Sequence, residues 1–358
     1  MSSSANQPGP PRTVLVTGGS GFIGSALCNE LLTTTHHRLI NFDKLTYAAT
    51  EDPLDRNSYG GRYMFQRGDI CDAAKLASVF TKFRPDCVIH LAAETHVDRS
   101  IDSAGAFVRT NLVGTQTLLD VSRRHWHTLD RAAASRFRFL HVSTDEVFGS
   151  IPEPALADES WAYAPRSPYA ATKAGADQLV TAARVTFDFP AIIAHGANNY
   201  GPRQFPEKLI PLMISKALHG EELPLYGDGG QIRDWIYVRD FVRALIALLD
   251  CETPQSRYVI SARSLQTNLD VVRAICTALE SQRPNLAGCQ DRIRFVADRP
   301  GHDRRYGLDP ARIETDLDWV PHYRFEEGLK ETIDWYLHHR SWLSHIRDHR
   351  YKGGRLGL

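Results

Sequence analysis

The sequence predicts an α/β fold, a parallel sheet wound on both faces by helices and followed by a smaller C-terminal lobe. Three observations carry that prediction. Short apolar runs alternate with helix-patterned stretches as far as Gly201, a glycine-rich turn follows the first run, and chemistry-bearing residues stand just past the ends of the runs. Alternation of this kind builds βαβ units, and a doubly wound sheet gathers its ligands at the carboxyl ends of its strands.

The first run, Thr13-Val14-Leu15-Val16-Thr17, leads into Gly18-Gly19-Ser20-Gly21-Phe22-Ile23-Gly24 and a helix through Ala26, Leu27, Leu31 and Leu32. Gly19 and Gly21 are expected to form the tight turn and let a pyrophosphate approach bare backbone. Gly24 is expected to let helix and strand pack closely. A second strand, Leu39-Ile40-Asn41-Phe42, ends in Asp43. An acid about 20 residues beyond the glycines is placed to bind both ribose hydroxyls of NAD and to repel a 2′-phosphate. The reading is a Rossmann-type site that takes NAD in preference to NADP.

Residues 86–93 read as a buried strand ending in small residues, where a cofactor would lie against the backbone. A helix is expected over 104–127, with Phe107, Leu112, Leu118, Leu119 and Val121 on its apolar side. A strand over 137–142 comes next, then a helix beginning at Tyr169, then a strand over 191–194. Asp43, Ala92, Thr144 and Asn199 each sit just past such a strand end. After Gly201-Pro202 the pattern loosens into short helices and turns rich in Arg, Gly and Pro, read as a substrate-binding lobe. The expected division is a flexible leader over 1–11, a nucleotide-binding domain over 12–200 to which later segments return, and the lobe over 201–345.

Ser167-Pro168 makes a good helix cap and first turn, so Tyr169 begins a helix and Lys173 follows one turn on, on the same face. A nearby ammonium and the positive nicotinamide both favour tyrosinate, lowering its pKa from about 10 and making Tyr169 a base for a substrate hydroxyl. Tyr-x-x-x-Lys recurs by chance in many helices; behind a dinucleotide fingerprint and a strand-end hydroxyl it marks a site. The strand over 137–142 runs into Ser143-Thr144-Asp145-Glu146-Val147-Phe148-Gly149. Adjacent carboxylates after a strand are commonly a solvated turn. Beside Thr144 they become a candidate acid and base, since mutual repulsion separates their pKa values. An enzyme with all these parts oxidises an alcohol and also eliminates something.

Composition excludes several other classes. The 358 residues carry 42 basic and 42 acidic side chains, evenly spread, which argues against a nucleic-acid or membrane-surface partner. The six cysteines form no Cys-x-x-Cys pair, so disulfides and zinc are not expected. His90, His96 and His302 show no metal-ligand spacing, and no metal is expected. The first eleven residues lack the apolar core of a signal peptide, and no run approaches membrane-spanning length, so the expected location is cytoplasmic.

From about Arg12 to about Trp342 the chain resembles the extended short-chain dehydrogenase/reductases, and within them the nucleotide-sugar 4,6-dehydratases that act on dTDP-glucose. The resemblance rests on Asp43-Lys44-Leu45-Thr46-Tyr47-Ala48, Leu91-Ala92-Ala93-Glu94-Thr95-His96-Val97-Asp98-Arg99-Ser100 and Thr144-Asp145-Glu146. It continues in Asn198-Asn199-Tyr200-Gly201-Pro202, Phe205-Pro206-Glu207-Lys208-Leu209-Ile210-Pro211, Gln231-Ile232-Arg233-Asp234-Trp235 and Asp298-Arg299-Pro300-Gly301-His302-Asp303. Related epimerases and decarboxylases share the glycines and the Tyr/Lys helix but usually lack the Asp-Glu pair.

The resemblance implies that Tyr169 takes the proton of the C4 hydroxyl as NAD takes its hydride, with Thr144 holding that hydroxyl and Lys173 supporting Tyr169. Glu146 then removes the C5 proton, Asp145 protonates the departing C6 hydroxyl, and hydride returns to C6. It implies NAD contacts from Gly18, Gly21, Phe22, Ile23, Gly24, Asp43, Lys44, Thr46, Asp69, Ile70, Leu91, Ala92, Ala93, Thr110, Tyr169, Lys173 and Asn199. It implies sugar-nucleotide contacts from Thr95, Thr144, Asn198, Lys208, Leu209, Pro224, Tyr226, Arg233, Asn268, Arg299 and His302, with Arg233 and Arg299 on the diphosphate. A homodimer through the helices over 104–127 and 169–187 is expected, because their apolar faces exceed what one sheet face buries. Three alternatives stay open: a 4,6-dehydratase for UDP-glucose or another hexose nucleotide, a nucleotide-sugar 4-epimerase or decarboxylase, and an NAD-binding scaffold without turnover.

Overall fold

The structure, a computed structural model, describes residues 11–49, 59–351, 353 and 354. The expected leader, apart from residue 11, lies outside the described residues. The strands in chain order are β1 (Thr13–Thr17), β2 (Arg38–Asp43), β3 (Tyr63–Arg67), β4 (Cys87–His90), β5 (Arg138–Thr144) and β6 (Ala191–Gly196). They continue with β7 (Asn198–Tyr200), β8 (Leu223–Tyr226), β9 (Ile232–Tyr237), β10 (Arg257–Ile260), β11 (Leu265–Thr267) and β12 (Ile293–Val296). The helices begin with α1 (Phe22–Thr34), α2 (Ala73–Phe83), α3 (Val97–Asp102), α4 (Gly105–Phe107), α5 (Thr115–Trp126), α6 (Arg131–Arg136) and α7 (Pro168–Phe187). They end with α8 (Leu209–Leu218), α9 (Val238–Asp250), α10 (Asn268–Gln282), α11 (Ala311–Leu317), α12 (Phe325–His338) and α13 (Arg340–His349).

Seven parallel strands form the main sheet in the order β10-β6-β5-β4-β1-β2-β3. The chain enters at β1, winds outward to β3, then crosses back to place β4 on the other side of β1. Ligands of an open α/β sheet bind beside such a reversal. Both faces are covered, which is why the strands read as continuous apolar runs rather than alternating ones. On β1, Val14 and Val16 pack with α1 and α9, while Leu15 packs on the opposite face with residues of α2, α5 and α7. The smaller sheets, β11-β9-β7 and β12-β8, belong to the C-terminal part, whose core runs through Tyr200, Ile214, Ile275 and Ile333.

The helix expected over 104–127 is present but not uniform. Between α4 and α5 the chain makes a seven-residue π-helical segment, Val108–Gly114. Wide turns of this kind commonly accompany functional sites. Here the segment carries buried Asn111, whose amide donates to Glu94 O at 3.0 Å and Thr172 Oγ1 at 3.0 Å, tying the loop after β4 to α7. The strand expected over 86–93 is shorter than that. It stops at His90, and residues 91–93 leave the ladder to line a cavity.

The stretch beyond Gly201 departs most from expectation. It holds well-formed helices of 13, 15 and 14 residues in α9, α10 and α12, not only short ones. α9 buries Phe241, Val242, Leu245, Leu248 and Leu249, and β10 pairs with β6, so both complete the nucleotide-binding domain. Ile313 of α11 joins the same core, and the rest of the stretch carries most of a second core and of the two smaller sheets.

Candidate active site

The turn after β1 shows which glycines the fold requires. Gly18 adopts φ +74°, and a Cβ there would lie 2.6 Å from the backbone nitrogen of Ala92. A side chain on Gly24 would lie 2.0 Å from Gly18 O, so α1 packs on the turn as expected. Gly19 corrects the reading: it is held bare by the Asn41 side chain, 2.3 Å from its would-be Cβ, and the left-handed turn residue is Gly18. α1 starts from Gly21 with no side-chain cap and no acid in its first turn. Its first N–H groups, at the positive end of the helix dipole, face the cavity as an anion site.

Asp43 closes β2 with both carboxylate oxygens anchored, Oδ2 accepting from Ser20 N at 2.9 Å and Oδ1 from Leu45 N at 2.7 Å. Burial raises its pKa, while the backbone N–H groups pull the other way. Lys44 bridges to Asp69 at 2.7 Å across the rim. All seventeen residues named for NAD in the sequence, Tyr169 and Lys173 among them, line one cavity of about 320 Å³ at the strand ends, together with Thr95, Thr144, Asp145 and Glu146. An unpaired helix start, a glycine backbone open to close approach and a fixed carboxylate fit a dinucleotide.

The acid pair stands where β5 runs out. Thr144 accepts from Glu146 N at 3.3 Å and caps a short 3₁₀ turn over Asp145–Phe148; its hydroxyl donates to Asp145 Oδ1 at 3.1 Å. Asp145 is 2% exposed, and its Oδ2 has no protein partner. Burial, then the charge of Glu146, push Asp145 well above the usual carboxylate range. Glu146 is half-buried and also raised by burial, but Arg299, Lys208 and Arg233 pull it down. The two carboxyls therefore sit in different electrostatic surroundings, Asp145 tending to the acid and Glu146 to the base.

α7 is capped by Ser167, which accepts from Ala170 N at 3.0 Å, with Pro168 in its first turn. Tyr169 is buried, its N–H bonded to Ser100 Oγ at 3.1 Å and its phenol under the influence of the Thr144 hydroxyl. Burial and the Glu146 carboxylate raise the phenol above its ordinary value, against the Thr144 hydroxyl. This is opposite to the expected lowering, because among the protein's own groups burial and Glu146 dominate. Lys173 is buried, donates to Val142 O at 2.8 Å, and is lowered to about 8 by burial, opposed by Asp177.

A second cavity, about 300 Å³, opens from the first. Glu146, Asn198, Asn199 and Lys208 line both, so Glu146 stands where they join, with Asp145 on the side of the first. Leu209, Pro224, Tyr226, Arg233, Asn268, Arg299 and His302 line the second, as the sequence placed them. Arg233 stacks over the Tyr306 ring at 4.2 Å and donates to Asp303 O at 2.9 Å. Arg299 meets Asp98 at 3.4 Å and keeps a buried Nε with no protein partner. Lys208 donates to Thr95 O at 2.8 Å, and burial lowers its pKa. Burial and the two arginines bring His302 down to about 4, despite its 2.6 Å contact with Asp298.

Sequence reasoning did not single out several residues of this wall. Asp98 holds both Arg299 and the Tyr226 hydroxyl, the latter at 2.9 Å. Glu207 accepts from Tyr47 at 2.8 Å and Arg99 at 3.2 Å. Tyr306 and Tyr351 also line the cavity. Asp98 and Glu207 lie inside quoted motifs and were open to discovery there; Tyr351, near the C-terminus, carried no signal. Among the described residues no group of three or more His, Cys, Asp or Glu is arranged to hold a metal ion, and all six cysteines are free thiols.

Fold and site together define a nucleotide-sugar-modifying member of the dinucleotide-binding α/β proteins, and comparison with known proteins agrees. The family model described as GDP-mannose 4,6 dehydratase matches residues 15–332, and the chain belongs to that family. Among curated proteins it is similar to dTDP-glucose 4,6-dehydratases. That of Neisseria gonorrhoeae is 49% identical over 335 residues, covering 92% of this chain and 97% of the relative. That of Salmonella typhimurium is 45% identical over 348 residues, covering 95% and 96%. Among solved structures, the dTDP-glucose 4,6-dehydratase of Streptomyces venezuelae, with NAD and a second ligand bound, superposes with a TM-score of 0.84 at 39% identity, covering 92% of this chain and 98% of that one. The UDP-glucose 4-epimerase of Thermotoga maritima, solved with UDP-glucose, reaches 0.80 at 26% identity, covering 92% and 99%.

Proposed function

We propose that this chain is an NAD-dependent hydro-lyase that converts dTDP-glucose to dTDP-4-keto-6-deoxyglucose and water. The observation that carries the reading is the Asp145–Glu146 pair at the end of β5, its two carboxyls in unlike surroundings, Asp145 on the first cavity and Glu146 at its junction with the second. A simple alcohol dehydrogenase or an epimerase has no use for it.

NAD, which Asp43 and the turn after β1 would hold in the first cavity, would supply a positive nicotinamide that favours the Tyr169 phenolate and the hydride acceptor and donor that C4 and C6 need. Tyr169 takes the C4 hydroxyl proton while Thr144, on the wall of the same cavity, holds that hydroxyl. The resulting 4-ketone acidifies C5–H, and Glu146, the carboxyl drawn down by three cations, removes that proton. Asp145, held protonated by burial and with its Oδ2 unpartnered, gives its proton to the departing C6 hydroxyl. Arg233 and Arg299 take the diphosphate, Asn198, Lys208 and Thr95 the sugar side, and Leu209, Pro224, Tyr226, Asn268 and His302 the nucleoside side. The lobe over 201–345 thus binds the sugar nucleotide, apart from α9 and β10.

Incubation of the purified protein with dTDP-glucose and no added NAD, followed by alkali, is expected to give the near-ultraviolet band of a 4-keto-6-deoxy sugar. Absence of the band with dTDP-glucose and its presence with UDP-glucose would reassign the nucleotide. Asp43 is the choice between NAD and NADP. Asp43→Asn is expected to weaken NAD about tenfold or more while narrowing its advantage over NADP, since hydrogen bonds to a charged group contribute about 1.5–3 kcal/mol. Fluorescence titration of the apo-protein reads both.

We place the protein in the cytoplasm, on the strength of its free thiols and its cofactor; no helix among the described residues is long and apolar enough to cross a membrane. We also assign it a homodimer. Val108 and Val113 of the π segment, and Val185 and Phe187 of α7, are 43%, 52%, 75% and 43% exposed, an apolar face that a second copy would cover through the same helices. Light scattering at micromolar concentration is expected to give twice the chain mass; a monomer contradicts this.

A further inference from the structure

Behind Tyr169 and Lys173 lies a buried polar cluster that the dehydration steps leave unused. α7 repeats its spacing once more, so Tyr169, Lys173 and Asp177 stand one turn apart on a single face. Asp177 is fully buried and collects partners from three other segments. Its Oδ2 accepts from Ser143 Oγ of β5 at 2.8 Å and from the Tyr163 hydroxyl, in the loop before α7, at 3.0 Å. His195 Nε2 of β6 stands 3.2 Å from the same oxygen. His141 Nε2 of β5 stands 3.2 Å from Oδ1 and 3.4 Å from Lys173 Nζ, so one imidazole nitrogen touches both carboxylate and ammonium.

We propose that Asp177 is the counter-charge of Lys173, a positioning residue that acts across His141 to keep the ammonium protonated and fixed behind Tyr169. The inference rests on the proposed role of Tyr169 as the base for the C4 hydroxyl.

An ammonium taken out of water loses its proton unless an opposite charge is near. Lys173 is 5% exposed, and Asp177 is the one carboxylate that raises its proton affinity. The other groups facing the pair do not compete. His141 is brought down to about 4 by burial and by Lys173, so it is a neutral bridge. His90 of β4, its ring 5.2 Å from that of His141, is held neutral by burial between Thr17 and Thr115. Asp145 and Glu146 bear on Tyr169, and Arg257 of β10 lies over the outer Tyr163 ring at 5.3 Å. On α3, Asp98 pairs with Arg299 and Arg99 with Glu207, while Asp102 and, on the π segment, Arg109 are exposed. The donors on Asp177 keep its carboxylate ionised, its pKa well below the usual range although burial pushes it up. The buried Lys173 ammonium therefore faces the buried Asp177 carboxylate across His141, with His195 on the far oxygen.

The sign of the expected effect follows. Burial lowers Lys173 to about 8 and Asp177 pulls it back up. Removing that carboxylate makes Lys173 lose its proton at lower pH, and with it the support for tyrosinate. In the NAD-loaded Asp177→Asn protein, the alkaline limb of kcat with dTDP-glucose is expected to move about one to three pH units toward acid, the range for one opposite charge at close approach. KM is expected to stay unchanged, and Asp177→Glu to leave the limb in place. A profile for Asp177→Asn that runs parallel to wild type overturns the proposal.

Melting temperature supplies a test independent of the reaction. Asp177→Asn strands a buried ammonium, so adding Lys173→Met is expected to restore most of the lost stability, or the fold itself if the single variant does not fold. A double variant as unstable as the single one contradicts the proposal even if the protein acts on another sugar. Failure of wild type to turn over dTDP-glucose, with the restoration intact, tells against the reaction and not against the charge pair.

Discussion

Glu146→Gln is expected to lower turnover about a hundred- to ten-thousandfold, the usual contribution of a general base, while leaving oxidation at C4 intact. The amide keeps the size and reach of the carboxylate but cannot accept the C5 proton. The substitution also removes a negative charge that raises both Tyr169 and Asp145. Tyr169 then ionises at lower pH than in wild type, so the first step is eased while the second is blocked. Mixed with dTDP-glucose, the variant is expected to accumulate enzyme-bound reduced nicotinamide and a 4-keto-glucose nucleotide, read as absorbance at the nicotinamide band. Near wild-type turnover would remove the role assigned to the acid pair and favour an epimerase-like site.

Tyr169→Phe is expected to fail earlier and show the opposite spectrum. Without the phenol, the described residues nearby offer no replacement for taking the C4 proton: Lys173 points to Val142 O and His141, and the Thr144 hydroxyl donates to Asp145. Turnover is expected to fall by about a hundred- to ten-thousandfold with no reduced nicotinamide formed. Cofactor is expected to stay bound, because Asp43 and the turn after β1 keep their contacts, although one cavity hydroxyl is lost. Accumulation of reduced nicotinamide in this variant would transfer the proton-accepting role to another group.

What the sequence disclosed and what it hid divide along the range of the interactions. The turn after β1, the cap before Tyr169 and the strand end at Thr144 are local, each set by a few consecutive residues, and all three appear in the structure where the residues put them. The exchange of roles between Gly18 and Gly19 was hidden because it depends on Asn41 of β2 and on Ala92 in the loop after β4, both distant in sequence. The π segment was hidden because its apolar residues still satisfy a helical period, and only the buried bonds of Asn111 show what the wider turn is for. The Asp177 cluster joins α7, β5, β6 and a preceding loop, and no spacing rule brings His141, Asp177 and His195 together. α9 lies in a stretch read as short helices and turns, and nothing local says that its apolar face packs beside α1. The direction of the Tyr169 shift was missed for a related reason, since burial and the approach of Glu146 are both products of folding.

The central claim is that one bound nicotinamide passes a single hydride from C4 to C6 while the acid pair eliminates water between C5 and C6. dTDP-glucose deuterated at C4 tests it most directly, with the product analysed by NMR after turnover without added NAD. The account requires the deuterium at C6 of a 4-keto-6-deoxy sugar, with solvent hydrogen at C5. Deuterium retained at C4, or lost to solvent, would contradict it.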